Sequence, residues 1–302
     1  MKRLLVLAAL YVGLCAAGGA LIVDRALQRP RIPITAVDRL RADDLARTLG
    51  ARLESVSLAA QDGATLRGWL VTPDRPNRHS VLLVPGIVSN RAALLTSVRM
   101  FVEQGYRALA VDTRGQGESG GDFITFGVNE AVDLGRWIER LRDAPDTCVY
   151  EFGGSLGASL ALQAANTPGV CAVVAQSGYA SFREMAFDRI GQQLHTGAWA
   201  GRTLLRPGVE LGFLSVRIRH GFDLSASSAM ASVARPGAPI LLIHGTDDDN
   251  VPVRHAQLIQ AANPSRVSLW LVPGGTHALP GRTAPGYWAR ILGFLASHRR
   301  PM

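Results

Sequence analysis

The chain has 302 residues, which is long enough to bury a sizeable core, and we expect one large globular domain. Hydrophobic residues make up 47% and charged residues 19%, without repeats or low-complexity tracts, which excludes a disordered chain. The formal charge of +8 comes largely from arginines along the sequence, without the aromatic interleaving or motif that a nucleic-acid site needs. We therefore expect no nucleic-acid partner and a solvated basic surface, with attraction to anionic lipid headgroups as the alternative.

The first predicted element is a membrane segment. Leu4 to Val23 contains no charged residue, and twenty helical residues span the roughly 30 Å of a bilayer core. We expect residues 1–25 to form an uncleaved membrane anchor or signal. A cleaved signal peptide, which would leave a secreted protein, is one alternative, but its apolar region normally runs only about 7 to 15 residues. A buried helix is the other alternative.

The charges around this segment indicate its orientation only weakly. Lys2 and Arg3 favour a cytoplasmic N-terminus. Three arginines that follow the segment reduce the asymmetry: Arg25, Arg29 and Arg31. We adopt the topology that leaves the following domain outside the cytoplasm, which in a bacterium means the inner membrane and the periplasm.

Residues 26–50 read as a connector, and the globular domain is expected over 51–302. The domain opens with a hairpin-like pattern, "ESVSLAAQDGATLRGWLVTP", and then alternates apolar runs of strand length with segments of helical periodicity. This alternation predicts a mainly parallel sheet with helices on both faces and functional residues at the C-terminal ends of the strands. The predicted strands after the hairpin are 80–85, 106–112, 147–153, 170–176, 238–245 and 267–273. The predicted helices include 128–141, 156–165 and about 284–299.

The three cysteines carry little functional signal. Cys15 lies in the N-terminal apolar run, and Cys148 and Cys171 lie in apolar, strand-like runs. Because free cysteine is among the most buried residue types, we expect buried free thiols. No metal-ligand spacing is present, so no metal is expected.

A candidate nucleophile follows one of the predicted strands. "EFGGSLGAS" places Ser155 between Gly153 and Gly157, after a strand run and before a helix run, which is the context that a G-x-S-x-G turn requires. The glycines let strand and helix pack closely around a strained turn, which exposes the hydroxyl at the positive end of a helix. The sequence therefore predicts a nucleophilic serine.

The stretch from about 178 to 236 interrupts the alternation and is too long for one crossover helix. An insertion there emerges at the carboxyl ends of the strands, so we expect a helical cap over Ser155. Its segments "FREMAFDRIGQQL" and "LLRPGVELGFLSVRI" each have an apolar side. We expect about half of these apolar residues to pack as core and the others to line an acyl pocket.

An acid and a histidine follow the serine in the required order. "GGTHAL" places His277 on a glycine-rich loop after the last predicted strand, and it is the candidate base. "HGTDDDNVP" offers three aspartates, of which only one can sit at the right place on its turn. Spacing alone leaves the choice open between Asp247, Asp248 and Asp249.

Five ordered motifs carry a resemblance over about residues 52–299: "VPGIVSNR", "VDTRGQGESGG", "GGSLG", "HGTDDDNVP" and "GGTH". On these motifs the chain resembles the α/β-hydrolase family, and within it the BEM46-like and serine-aminopeptidase-like serine hydrolases. The resemblance implies an α/β-hydrolase fold: a mainly parallel eight-stranded sheet with helices on both faces and a helical cap insertion. Its acid motif, H-G-x-x-D-x-x-V-P, assigns the acid to Asp248.

The resemblance also assigns the oxyanion hole to the backbone N–H groups of Ile87 and Leu156. Relatives commonly have His-Gly after the third strand, whereas this chain has Pro85-Gly86. The departure removes the histidine side chain and, because proline has no N–H, the backbone donor of residue 85, but it leaves the N–H groups of Ile87 and Leu156 in place.

These parts together imply a serine hydrolase that cleaves an acyl bond, an ester before other substrates, through an acyl-enzyme formed by Ser155, Asp248 and His277. The implied partner is a small acyl substrate, and the mechanism needs no cofactor or metal. The leaving group stays open between ester, thioester and peptide. Two further alternatives are a cofactor-free perhydrolase or acyltransferase, and a non-catalytic membrane-tethered binding protein.

Overall fold

A computed structural model describes residues 1–144, 147–277 and 284–299 of the chain. The predicted domain 51–302 also includes residues 145–146, 278–283 and 300–302, which lie outside the described residues. The described strands are β1 (Ala51–Ala59), β2 (Thr65–Pro73), β3 (Ser80–Val84), β4 (Arg107–Asp112), β5 (Val149–Gly154), β6 (Val170–Gln176), β7 (Ile240–Gly245) and β8 (Val267–Val272). The described helices are α1 (Lys2–Leu27), α2 (Ala36–Thr48), α3 (Leu95–Val102), α4 (Glu130–Leu141), α5 (Leu156–Ala164), α6 (Phe182–Leu194), α7 (Ala198–Arg202), α8 (Arg206–His220), α9 (Ala229–Val233), α10 (Arg254–Ala262) and α11 (Tyr287–Ser297).

The strands form one eight-stranded sheet in the order β1-β2-β4-β3-β5-β6-β7-β8. The β1–β2 hairpin and the β2–β4 pair are antiparallel, and the other neighbouring pairs are parallel. The carboxyl ends of β3, β5, β7 and β8 therefore meet at one edge of the sheet. The predicted fold class is confirmed, including the opening hairpin.

Apolar side chains alternate between the two faces of the central strands. In β3, Val81 and Leu83 belong to a buried cluster with α3 and α11, whereas Leu82 and Val84 belong to a cluster with α4, α5 and α10. A parallel strand that is covered on both faces is apolar throughout, as the "SVLLV" run is. The two helical layers hold the sheet rigid, and its carboxyl edge can therefore position side chains.

The prediction of free thiols was wrong for two of the three cysteines. Cys148 and Cys171 form a disulfide, and their Cα atoms are 5.4 Å apart. The register between β5 and β6 shifts at Val149, which leaves Cys171 without a partner residue in the ladder and beside Cys148. The strand pairing brings the two cysteines together. The register of that pairing cannot be read from the sequence, so the disulfide could not be predicted. Cys15 is a buried free thiol, as predicted.

The segment predicted as a cap, residues 178–236, contains α6 to α9 and connects β6 to β7. Its inward side is part of the domain core: Val209, Phe213 and Val216 of α8 are buried. The Phe213 ring stacks on Phe182 with a centroid distance of 5.7 Å. These residues therefore hold α8 and α6 together.

The second half of the N-terminal helix α1 packs against α8. Among the described residues, α1 is the one helix long and apolar enough to cross a membrane. Its first ten residues are all exposed, whereas Cys15, Val23 and Leu27 are buried against the domain.

Candidate active site

The G-x-S-x-G segment forms a tight turn between β5 and α5. Ser155 has φ 55° and ψ −119°, a conformation that a non-glycine residue rarely adopts. A Cβ atom on Gly153 would lie 2.4 Å from the carbonyl carbon of Gly157, and a Cβ atom on Gly157 would lie 2.2 Å from the carbonyl oxygen of Val84. Only glycine permits this approach of strand and helix, and the turn leaves Ser155 half-buried at the start of α5.

The loop after β8 brings His277 between the serine and an acid. His277 Nε2 lies 3.0 Å from the Ser155 hydroxyl oxygen. His277 Nδ1 lies 2.9 and 3.0 Å from the two carboxylate oxygens of Asp248. A neutral imidazole whose Nδ1–H donates to a carboxylate leaves Nε2 as the acceptor for the serine proton.

Asp248 is buried, and its surroundings keep it ionised. Its Oδ1 accepts hydrogen bonds from the backbone N–H groups of Asn250, at 3.0 Å, and Val251, at 2.8 Å. Burial opposes ionisation, but the hydrogen bonds from His277 and from the Val251 amide outweigh it, so the pKa of Asp248 lies below its ordinary value. The site therefore holds a negative charge directly behind the imidazole.

The two neighbouring aspartates point elsewhere. The carboxylate of Asp247 is exposed and accepts a hydrogen bond from the Thr246 hydroxyl at 2.9 Å. The backbone carbonyl of Asp249 accepts from the Gln192 side chain at 2.6 Å. Of the three carboxylates, the structure brings that of Asp248 to His277.

His244 supports the acid loop from below. Its Nε2 donates to the carbonyl oxygen of Val251 at 2.8 Å, and burial lowers the pKa of the imidazole. The lowered pKa favours the neutral ring, and the ring holds the loop that carries Asp248 through its bond to Val251.

The residues expected to form the oxyanion hole flank the serine. Leu156 is the first residue of α5, and Ile87 belongs to the loop after β3. A Cβ atom on Gly86 would lie 3.7 Å from the Cβ of Ser155, which places this loop directly against the nucleophile. Within the described part of the chain, neither the Ile87 nor the Leu156 backbone N–H donates to a protein acceptor, as donors reserved for a developing oxyanion require.

A partly buried cluster of charged and polar side chains, which no sequence pattern indicated, ties the cap to α10, the helix after the acid loop. The Arg254 guanidinium contacts the two oxygens of Asp188, on α6, at 3.1 and 2.6 Å. His255 Nε2 lies 2.8 Å from Asp188 Oδ2, and the Ala180 amide donates to His255 Nδ1 at 3.2 Å. These groups are about 70 residues apart in sequence, and no spacing rule joins them. The base of the cap is therefore fixed beside Asp248.

A hydroxyl, an imidazole and a carboxylate in this order can transfer a proton away from the serine as it attacks a carbonyl. Within residues 1–144, 147–277 and 284–299, no group of three or more His, Cys, Asp or Glu side chains is placed to hold a metal ion.

Comparison with known proteins gives one family. The model of the alpha/beta hydrolase family matches residues 81–290, a span that includes Ser155, Asp248 and His277. The chain is 25% identical over 223 residues to YqkD of Bacillus subtilis (strain 168), covering 72% of this chain and 70% of that protein. It is 26% identical over 258 residues to YfhR of Escherichia coli (strain K12), covering 82% of each.

Among solved structures, the fold is similar to the Pyrococcus furiosus esterase Pf2001. The TM-score is 0.68 at 21% sequence identity, over 89% of this chain and 99% of that chain. At this identity the likeness shows the fold, including the sheet on which the site is built.

Proposed function

We propose that this chain, which belongs to the alpha/beta hydrolase family, is a serine hydrolase that cleaves acyl esters through Ser155, His277 and Asp248. The observation that carries the proposal is the position of His277. One ring nitrogen is 3.0 Å from the Ser155 hydroxyl and the other is 2.9 Å from Asp248. Both contacts are within the reach that proton transfer and tautomer control need.

In the first half of the reaction, the Ser155 oxygen attacks the acyl carbonyl while its proton passes to His277 Nε2. Asp248 holds the imidazole through Nδ1–H and stabilises the imidazolium. The Ile87 and Leu156 amides donate to the oxyanion of the tetrahedral intermediate. His277 then gives its proton to the leaving alcohol, and the acyl group stays on Ser155.

In the second half, water takes the place of the alcohol. His277 removes a proton from the water, which attacks the acyl carbonyl, and the collapse of the second tetrahedral intermediate returns the proton to Ser155. The products are a carboxylic acid and free enzyme. The first and the last proton transfers cross the Ser155–His277 contact seen in the structure, and the two between them run from His277 Nε2 to the leaving alcohol and from water to the same nitrogen.

An ester is the proposed substrate class, with an alcohol as the leaving group, because the similar Pyrococcus furiosus structure bears the name esterase. Thioesters and peptides are alternatives on the same apparatus, as is transfer of the acyl group to an acceptor other than water. The residues described here act identically in each case, so only the substrate can distinguish them.

The test is labelling with a fluorophosphonate probe, followed by hydrolysis of p-nitrophenyl esters of increasing acyl length. We expect the folded wild-type chain to be labelled at Ser155 and to release p-nitrophenol, and Ser155→Ala to do neither. A folded chain that is not labelled would favour a non-catalytic binding protein. Labelling with transfer to an added nucleophile in preference to water would favour an acyltransferase.

We further propose that α1 anchors the protein and that the domain lies outside the cytoplasm. The length and composition of α1 support the anchor, and the Cys148–Cys171 disulfide supports an oxidising compartment. Protease added to cells with a permeabilised outer layer should digest the domain. Protection of the domain from the protease would show that it lies in the cytoplasm.

A further inference from the structure

We propose that α1 and the outward side of the cap form one membrane-binding face, through which the site takes its acyl substrate from an anionic lipid bilayer. We call it the anchor–cap face, and it comprises α1 and the outward residues of the cap: Trp199, Leu204, Leu214 and Ile218. The substrate part of the inference rests on the proposed hydrolase function. The membrane part stands on the packing, exposure and charge of the described residues.

α1 and α8 pack tightly against each other. A Cβ atom on Gly19 would lie 2.0 Å from the carbonyl oxygen of Gly208, and a Cβ atom on Gly212 would lie 2.8 Å from that of Gly19. Small residues that permit backbones to approach this closely are typical of helix pairs in membranes. At the end of the contact, Arg219 donates to both oxygens of Asp24, at 2.6 and 2.8 Å. An anchor helix attached in this way brings α8 to the membrane with it.

The large apolar side chains that the structure exposes are concentrated on this side. Among the described residues, every strongly exposed large apolar side chain lies in residues 1–40, at Val88 or in the cap, apart from Val132 and Leu271. On α8, Leu214 and Ile218 are one turn apart and so share a face, and Ile218 is 75% exposed. Trp199 on α7 is 65% exposed. Exposed large apolar side chains grouped in two packed segments, α1 and the cap, indicate an interaction site.

The net charge is concentrated in the same segments. On the domain's side of the anchor, residues 24–35 contain three arginines and one aspartate, and residues 178–236 contain seven arginines and four acidic residues. These two segments therefore carry five of the eight net positive charges of the chain. Basic residues around an apolar surface are attracted to anionic lipid headgroups, whereas in a second copy of the chain they would face one another.

The connector after α1 links the anchor–cap face to the loops around the candidate site. Beyond α1, the Arg31 guanidinium donates to the carbonyl oxygen of Ser119 at 2.6 Å, and the Asn90 side chain donates to that of Ile32 at 3.1 Å. Asn90 belongs to the loop after β3 that carries Ile87. The chain thus passes from the anchor directly over the loops at the carboxyl edge of the sheet. A bilayer on the anchor–cap face would lie beside the connector that crosses these loops, and an amphiphilic acyl lipid is therefore the substrate class.

The membrane part is tested with full-length protein reconstituted in vesicles of phosphatidylcholine and phosphatidylglycerol. Trp199 is the natural probe, and its fluorescence is obtained as the difference between wild type and Trp199→Phe. We expect lipids with a nitroxide high on the acyl chain to quench it and aqueous iodide to leave it unchanged. Quenching by iodide and not by the nitroxide lipids would overturn the proposal. Protection from both quenchers would indicate a second copy of the chain and would also overturn it.

The substrate part is tested by comparing a soluble short-chain ester with a fluorogenic ester embedded in the same vesicles. Ile218→Glu should lower the rate on the embedded ester roughly tenfold and leave the soluble ester unchanged, because an apolar membrane contact is replaced by a charge. Val132→Glu is the matched control, since it makes the same change on an exposed residue of α4, outside the face. It should change neither rate. Equal loss in the two variants, or no loss in Ile218→Glu, would overturn the substrate claim.

The two proposals can fail separately. If wild type hydrolyses neither ester, the proposed hydrolase function fails with the substrate claim, and Trp199 quenching still decides whether the cap lies in the membrane. If the soluble ester is cleaved and Trp199 remains open to iodide, the hydrolase stands and the membrane face is wrong.

Discussion

Asp248 contacts Nδ1 of His277 with both carboxylate oxygens, at 2.9 and 3.0 Å. Its immediate neighbour Asp247, by contrast, is exposed and bound to Thr246. The turn after β7 thus buries Asp248 behind the imidazole and leaves Asp247 and Asp249 exposed at the surface.

This separation predicts the outcome of an asparagine series. Asp248→Asn should lower kcat by about 10³- to 10⁴-fold, because an amide can stabilise the wrong imidazole tautomer and carries no charge to balance the imidazolium. Asp247→Asn and Asp249→Asn are matched controls with the same change one residue away, and they should stay within a few-fold of wild type. A severe loss in Asp247→Asn instead would show that the acid is one residue earlier.

The disulfide predicts a thiol count. Denatured full-length protein, purified from its own compartment without reductant, should react with one maleimide, at Cys15, and reductant should raise the number to three. Three reactive thiols without reductant would contradict the pairing. Replacing Cys148 and Cys171 together by alanine should lower the free energy of unfolding by about 3 kcal/mol, because the cross-link closes a loop with a sequence separation of 23.

Glu151 predicts a dependence of stability on pH. It is fully buried in β5, and neither carboxyl oxygen has a hydrogen-bond partner among the described residues. Burial raises its pKa well above the ordinary value of 4.5, and the charge of Arg266 opposes this only in part. The folded state keeps a proton that the unfolded chain loses, so this contribution to stability is complete below pH 4.5 and falls as pH rises toward the folded pKa.

Glu151→Gln removes the titrating proton and should therefore flatten that fall. Glu151→Leu should also remove the unpartnered polar group and raise the free energy of unfolding at pH 7 by about 1 kcal/mol or more. Glu139→Gln, on the exposed side of α4, is the control and should leave the pH profile as it is. Urea unfolding from pH 4 to 8 measures all three variants, and a wild-type profile in Glu151→Gln would show that Glu151 does not titrate in this range.

The contact between α1 and α8 predicts different effects for two glycines of one helix. Gly19→Val should separate α1 from the cap, because even a Cβ atom there meets the Gly208 carbonyl. Gly13→Val makes the same change where nothing lies within 4 Å, and both substitutions have the same intrinsic effect on a helix. Backbone amides of α8 should exchange with deuterium several-fold faster in Gly19→Val than in Gly13→Val. Equal exchange would mean that the two helices are not packed in the protein.

The sheet, Ser155 and His277 could be predicted because each depends on a local pattern. Ser155 sits in a turn whose glycines are its immediate neighbours, and His277 follows the last apolar run. The fold then brings these residues together by a rule, since the carboxyl ends of parallel strands share an edge. Asp248 needed the family resemblance as well, because spacing could not choose among adjacent aspartates.

The features that could not be predicted depend on contacts between elements that are far apart in sequence. The Cys148–Cys171 bond requires an irregularity at the start of β5, which no periodicity reveals. The ion cluster around Asp188 joins groups on α6 and α10. The association of α1 with α8 had a partial signal, the glycines at 208 and 212, but nothing in the sequence identified the helix they accommodate.

Asp24 and Arg219 are 195 residues apart in sequence, so α1 is synthesised well before α8. A ribosome that adds about 5 to 20 residues per second completes α8 roughly 10 to 40 s after α1. During that interval the first helix exists without the second, and the glycine surface at Gly19 is bare. During synthesis α8 therefore packs onto a helix that already exists, and the position of α1 determines where α8 comes to lie.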